Sequence, residues 1–189
     1  MGLLDSFFGK KRLKGATLDR LFALSASVVA IEADLGLQPA GAAAVVFKPL
    51  SAGEFVRAEN EIQELLDVAA RDSSSKIERT HDTYGYEWFV IRDPDVEDLV
   101  TSTHLISSEL RDRGFDEQLL AAVFLFKGGE HPVYLIYGYK RGTFWPFVPT
   151  GEGQERDNAE ELELKAKLDG ELPVEPDLSR WFGVFDAPI

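Results

Sequence analysis

The residues best suited to chemistry in this 189-residue chain are three histidines, several runs of acids, and an aromatic stretch carrying two bases. His81, His104 and His131 fall in a predicted strand, helix and turn respectively. A zinc site or a histidine-centred catalytic site needs convergent partners at fixed spacing, such as two histidines four apart on a helix, and no such spacing occurs. The chain has no cysteine, which removes thiol nucleophiles, thiolate metal sites, disulfides and redox switching together. Gly128-Gly129 and Gly151-Glu152-Gly153 lack the strand-then-helix context of a phosphate loop and read as turns. Glu160-Glu161-Leu162-Glu163 reads as the solvated face of a helix. An acid-only hydrolase built on paired carboxylates stays open, because the acids are many and their geometry is not in the sequence. Nothing implies a metal or a cofactor.

The most unusual stretch is Tyr137-Gly138-Tyr139-Lys140-Arg141-Gly142-Thr143-Phe144-Trp145-Pro146-Phe147. Aromatics and arginine are enriched where proteins bind one another, since they bury large rigid area and keep polar ends. Tyr139, Lys140, Arg141, Phe144, Trp145 and Phe147 are therefore candidate partner-binding residues, with Arg156 downstream. The competing reading is a strand whose aromatics fill the core beside Trp88 and Trp181. Arg156-Asp157 is placed to pair with Lys140 or Arg141 on the same surface.

A second candidate lies at the start. Leu3, Leu4, Phe7 and Phe8 share one helical face, and Lys10, Lys11, Arg12 and Lys14 follow directly. An apolar face followed by bases suits an anionic membrane or the groove of a partner. The alternative is a terminus that frays or docks on its own domain. Residues 1–20 hold five bases against two acids, whereas the chain as a whole has a formal net charge of −13. That acidity argues against nucleic acid, which requires a basic face. The chain lacks an apolar run of membrane-spanning length and a secretory pattern, so a cytoplasmic location is expected, peripheral to the inner face of the membrane if the first segment binds there.

These candidates must be positioned by elements, and the pattern predicts an α+β fold: a largely antiparallel sheet built from β-β-α units, with helices packed on one face. Thr17 is placed to cap a short helix through Leu18, Leu21 and Phe22. Strands are expected at Ser27–Asp34 and Ala42–Lys48, then a helix opened by Ser51 and Glu54. Strands at Ile77–Thr83 and Tyr86–Arg92 precede a helix capped by Asp93 with Pro94 in its first turn. Gln118–Phe126 reads as a central strand, followed by Val133–Tyr139 and Arg141–Val148, and Asp157 with Glu160 opens a last helix. Trp181, Phe182 and Phe185 are large enough to dock on the body. The boundaries drawn are an amphipathic basic segment over 1–16 and a single α+β domain over 17–189.

Leu21-Phe22-Ala23-Leu24, Tyr84-Gly85-Tyr86-Glu87-Trp88, Asp98–Ser102 leading to Arg113-Gly114-Phe115, Leu119–Phe124, Arg141–Phe147, Glu155-Arg156-Asp157 and a closing tryptophan region follow one another along the chain. In that order and spacing they resemble the PspA-associated protein PspAB family of actinobacteria and archaea. The resemblance spans nearly the whole chain, and Arg141–Phe147 is its most specific element. It implies association with PspA, a membrane-binding phage-shock protein, and a gene neighbourhood shared with a membrane metalloprotease of the HtpX type. It brings no catalytic residue to carry over. The expectation is an accessory protein of an envelope-stress response, with a PspA-type partner and an anionic membrane surface as its contacts. A small acid-dependent hydrolase or ligand-binding enzyme is the alternative.

Overall fold

The computed structural model describes residues 15–51, 53–71, 75–151 and 153–189. Helices α1 (Gly15–Asp19) and α2 (Ala23–Leu35) are joined by a 3-10 turn over Arg20–Phe22, and β1 (Gln38–Phe47) follows. Next come α3 (Gly53–Arg71), β2 (Lys76–His81), β3 (Glu87–Arg92) and α4 (Val96–Asp112). The chain continues through β4 (Leu119–Lys127), β5 (Val133–Gly138), β6 (Thr143–Phe147) and α5 (Asn158–Leu168). The six strands form one sheet in the order β2-β3-β1-β4-β5-β6, with every neighbouring pair antiparallel. The α+β class and the largely antiparallel sheet are as the sequence predicts.

The first unit differs from the expectation. Ser27–Asp34 lies in α2 and is not a strand. Val28, Val29 and Ile31 favour a strand locally, yet Leu18, Leu21, Leu24, Ser27 and Ile31 recur every three or four residues and are buried along one helical face. Gly36, at φ 67, then ends the helix in the left-handed conformation that glycine adopts without steric cost. A strict β-β-α order therefore holds only for β2-β3-α4. The cap of α4 also shifts by two residues. Asp95 accepts from the Glu97 amide as N-cap, while Asp93 Oδ1 accepts from the Asp95 amide.

Alternation along the strands divides the core in two. Ala43, Val45, Phe47, Phe89, Ile91, Ala122, Phe124, Leu135 and Tyr137 face the helices. Ala44, Val46, Trp88, Val90, Ala121, Val123, Ile136, Trp145 and Phe147 face the other way. Small residues at Ala43 and Ala122 in the central strands leave room on the first face for α4, which lies against β1 and presents Thr103 and Ser107 with no exposed surface. Both hydroxyls donate to backbone carbonyls one turn back, so they are buried without a loss of hydrogen bonding.

The second face is covered by the last residues of the chain and not by helices. The Phe144 amide donates to the Pro173 carbonyl at 2.8 Å and the Glu175 amide to the Phe144 carbonyl at 2.8 Å, so the tail begins as a short addition to the β6 edge. Trp181 then packs down with its Nε1 donating to the Glu175 carbonyl at 3.0 Å. Phe185 meets the edge of Phe147 at 4.9 Å, Thr83 donates to Asp186, and Tyr134 donates to the Ile189 carbonyl. The docking of the terminal aromatics is thus the lid of a second core. Trp181→Ala removes a large side chain that is 8% exposed and should cost about 3 kcal/mol of unfolding free energy. Denaturant titration followed by the remaining tryptophans checks this.

Candidate functional site

The tail covers the second face incompletely. Between it and one end of the sheet lies a groove of about 450 Å³ floored by Val46, Trp88 and Leu120 and walled by residues 182–186 and the β2-β3 turn. Leu120 and Phe182 also line an adjoining depression of about 210 Å³ with Gly138, Lys140, Arg141, Thr143, Trp145 and Arg180. The register joins the two: Trp88 pairs with Val46, Val46 with Ala121, and Ala121 with Gly138. The groove therefore crosses β3, β1, β4, β5 and β6 at one level, about 19 Å at the usual strand spacing.

Its ends carry opposite charge. At the β2-β3 end stand Asp82 and Asp186 with the exposed rings of Tyr84 and Tyr86. Asp82 is spent as an acceptor: its Oδ1 receives the Tyr84 and Tyr86 amides at 2.9 Å and its Oδ2 receives Trp88 Nε1 at 2.9 Å. At the β5-β6 end stand Lys140, Arg141 and Arg180 around Glu175, which is 2% exposed. Thr143 Oγ1 and the Asp177 amide donate to Glu175, and Arg141 and Arg180 lie 3.8 and 3.6 Å from its oxygens. Asp177 is held below the usual carboxylate range by the Ser179 hydroxyl and amide, with Arg180 and Arg141 adding to the effect. Among the described residues, Glu59 and Glu160 are raised from their ordinary value, chiefly by burial, and neither lines the groove.

The aromatic stretch is redistributed by the fold. Tyr139 and Phe144 have no exposure and pack edge-on and tilted against Tyr137 on the helix side, at 5.6 and 4.7 Å between ring centres. Burial pushes both Tyr137 and Tyr139 phenols up. Trp145 and Phe147, 3% and 0% exposed, lie under the tail. These four aromatics, read from the sequence as candidates for partner contact, are buried within the chain, because strand alternation sends each to one of the two cores. Trp145 contributes only an edge to the groove wall, its Nε1 donating to the Phe182 carbonyl at 3.1 Å. Lys140 and Arg141 alone of that stretch are exposed.

Arg156 is also a structural residue. Its Nε bridges both Glu161 oxygens at 2.8 and 2.9 Å, its Nη1 donates to the Trp181 carbonyl, and its guanidinium sits 4.9 Å over the Phe147 ring. It does not pair with the β5-β6 bases, and Asp157 instead caps α5 through the Ala159 and Glu160 amides. Glu161 belongs to the acid run read as solvated, yet it is 2% exposed and also accepts the Val148 amide at 2.9 Å. Leu162, in the same run, is exposed. Leu3, Leu4, Phe7, Phe8, Lys10, Lys11 and Arg12 lie outside the described residues.

The histidines remain apart, and among the described residues no three metal-ligating side chains gather. His104 Nε2 lies 3.2 Å from Asp19 Oδ1 and its Nδ1 3.5 Å from Ser108 Oγ, a serine–histidine–aspartate line. None of the three lines the groove. Sequence reading missed Leu120, Glu175, Arg180 and Phe182, which carry no local motif and meet only because the tail crosses the sheet.

The fold and groove define an α+β protein whose sheet is closed by its own C-terminal segment and which offers an apolar trench with charged ends. The chain belongs to the PspA associated protein B family, whose model matches residues 1–189. No curated protein and no solved structure matches it.

Two variants probe the buried charges. Glu161→Ala strands the Arg156 guanidinium and the Val148 amide, and should cost about 3–5 kcal/mol in denaturant titration. Glu59 is raised chiefly by burial, opposed by Arg79 at 3.7 Å. The folded state therefore holds its proton more tightly than the unfolded chain, and stability falls as pH rises through and above the glutamate range. Glu59→Gln should raise the thermal midpoint at neutral pH, the gain vanishing at about pH 3 and below, where glutamate is protonated in both states.

Proposed function

We propose that this chain is an accessory protein of a PspA-type membrane-stress response, acting by protein–protein contact in the cytoplasm at the inner face of the membrane. What supports the reading, beside family membership, is the groove itself: an apolar floor bounded by acids at one end and bases at the other. A trench about 19 Å long accommodates roughly 13 residues of α-helix. An amphipathic helix with an apolar stripe, basic near one end and acidic near the other, meets both the floor and the rims. The charged ends set its direction, since reversing the helix would put like charges together. The groove residues contacted would be Leu120, Phe182, Tyr84, Lys140, Arg141 and Arg180.

Leu120→Asp places a charge on the apolar floor and should weaken capture of the PspA-type protein by at least about tenfold. Phe182→Ser, at a side chain 44% exposed, should weaken it in the same direction. Val29→Asp, on a residue 74% exposed on α2, should leave it unchanged. Binding is measured by calorimetry with purified components, and thermal melts confirm folding. Wild-type affinity in both groove variants would refute the assignment.

A further inference from the structure

We propose that the trench on the second face also binds a single-chain amphiphile, with the acyl chain on the apolar floor and an anionic headgroup, carboxylate or phosphate, at the β5-β6 end. The inference deepens the groove reading and rests on it for one consequence only, that ligand and partner helix compete for the same floor.

The first observation is the surface itself. Phe22, Tyr84, Tyr86 and Phe182 are the exposed aromatic rings among the described residues, and all but Phe22 border this one trench. Single exposed apolar side chains are ordinary, whereas a contiguous set in a concavity marks a binding surface. At about 450 Å³ the main cavity has the size of a small-molecule site. The Tyr84 hydroxyl accepts from Gln154 Nε2 at 2.8 Å, so its ring is the surface that Tyr84 offers to an occupant.

The second observation is what the floor offers. Both indoles along it are spent, Trp88 Nε1 on Asp82 and Trp145 Nε1 on the Phe182 carbonyl. The strands beneath pair with one another across the whole width of the trench. A polar ligand would forfeit hydrogen bonds on such a floor, whereas a methylene chain asks for none. The length agrees. The trench runs about 19 Å at the usual strand spacing, and a bilayer leaflet, the reach of a common acyl chain, is about 15 Å.

The third observation is that cationic donors converge at one end only. Lys140, Arg141 and Arg180 line the adjoining depression together with Thr143. The Lys140 ammonium has no ion-pair partner among the described residues, and Arg141 lies 3.8 Å from Glu175, too far for a hydrogen bond. Glu175 is already served by Thr143 Oγ1 and the Asp177 amide. The guanidinium groups therefore keep N–H donors for a second oxyanion, carboxylate or phosphate. At the far end Asp82 and Asp186 would meet an anion with like charge. The headgroup accordingly lies at the β5-β6 end and the methyl end against Tyr84 and Tyr86.

The test is calorimetric titration of the full chain, without any partner protein, with palmitate, hexadecanol and decanoate below their aggregation thresholds. Palmitate should bind at least about tenfold more tightly than hexadecanol, the worth of a charge-assisted hydrogen bond. It should exceed decanoate by at least about tenfold, since each buried methylene contributes about fourfold. Lysophosphatidylglycerol in a parallel titration distinguishes a phosphodiester headgroup from a free carboxylate, and binding of either supports the site. Lys140→Ala with Arg141→Ala should erase the preference for palmitate over hexadecanol, a readout that general loosening of the fold would not move. Leu120→Asp should weaken palmitate by at least about tenfold, and Phe182→Ser serves if that charge disturbs the fold. Saturating palmitate should also displace the PspA-type protein. If it binds with the expected variant pattern yet displaces nothing, the helix reading of the groove fails and the ligand site stands. The proposal is overturned if neither palmitate nor the lysolipid binds the wild type, or if palmitate and hexadecanol bind it equally. It is overturned equally if the two groove variants keep wild-type affinity, or if the Lys140 and Arg141 variant keeps the preference.

Discussion

The structure depends on a sheet that is apolar on both faces. Antiparallel sheets commonly leave one face to water, but here Ile136, Trp145 and Phe147 point away from the helices as firmly as Tyr137 and Phe144 point toward them. Two covers are therefore required. Helices α2, α3, α4 and α5 supply one. The other is irregular chain, whose backbone groups need partners of their own, and these come from the β6 edge and from carbonyls paired with Trp145, Trp181 and Tyr134. A single segment is narrower than a six-stranded sheet. The groove is the part of the second face that the segment leaves uncovered.

Much of the framework was legible because it is written in local chemistry. The Asp157 cap, the stripe of Leu99, Val100, Thr103, Ile106 and Leu110, and the almost wholly apolar run of β4 each follow from spacing that any neighbour would respect. The failure at Ser27–Asp34 has a physical cause. Composition there favours a strand, and only packing of Leu18 through Ile31 against β1, α4 and α5 decides for a helix. The candidate site was legible in part. Lys140 and Arg141 stay at the surface, because a tight turn cannot bury them, whereas the aromatics beside them are claimed by the two cores.

Residues of one chemical type play unlike parts according to depth. Glu160 and Glu163 are acids on the outside of α5, while Glu161 between them is a bolt that ties α5, the β6 end and Arg156 together. Arg141 reaches solvent at the turn, but Arg156 spends its guanidinium on Glu161, Trp181 and the Phe147 ring. Sequence neighbours cannot report such differences, since each is set by a segment that arrives much later in the chain.

The tail has a consequence for how recognition and folding are joined. Residues 182–186 form one wall of the groove and, through Phe185, one wall of the second core. The groove exists only while the tail is seated, so an occupant that favours the seated state shifts the equilibrium between seated and released tail by its own mass action. The population of released tail, readable by hydrogen exchange at the amides of residues 182–187, becomes a gauge of occupancy. In this arrangement the last segment of the chain is a ligand of its own sheet, and anything that binds beside it binds cooperatively with it.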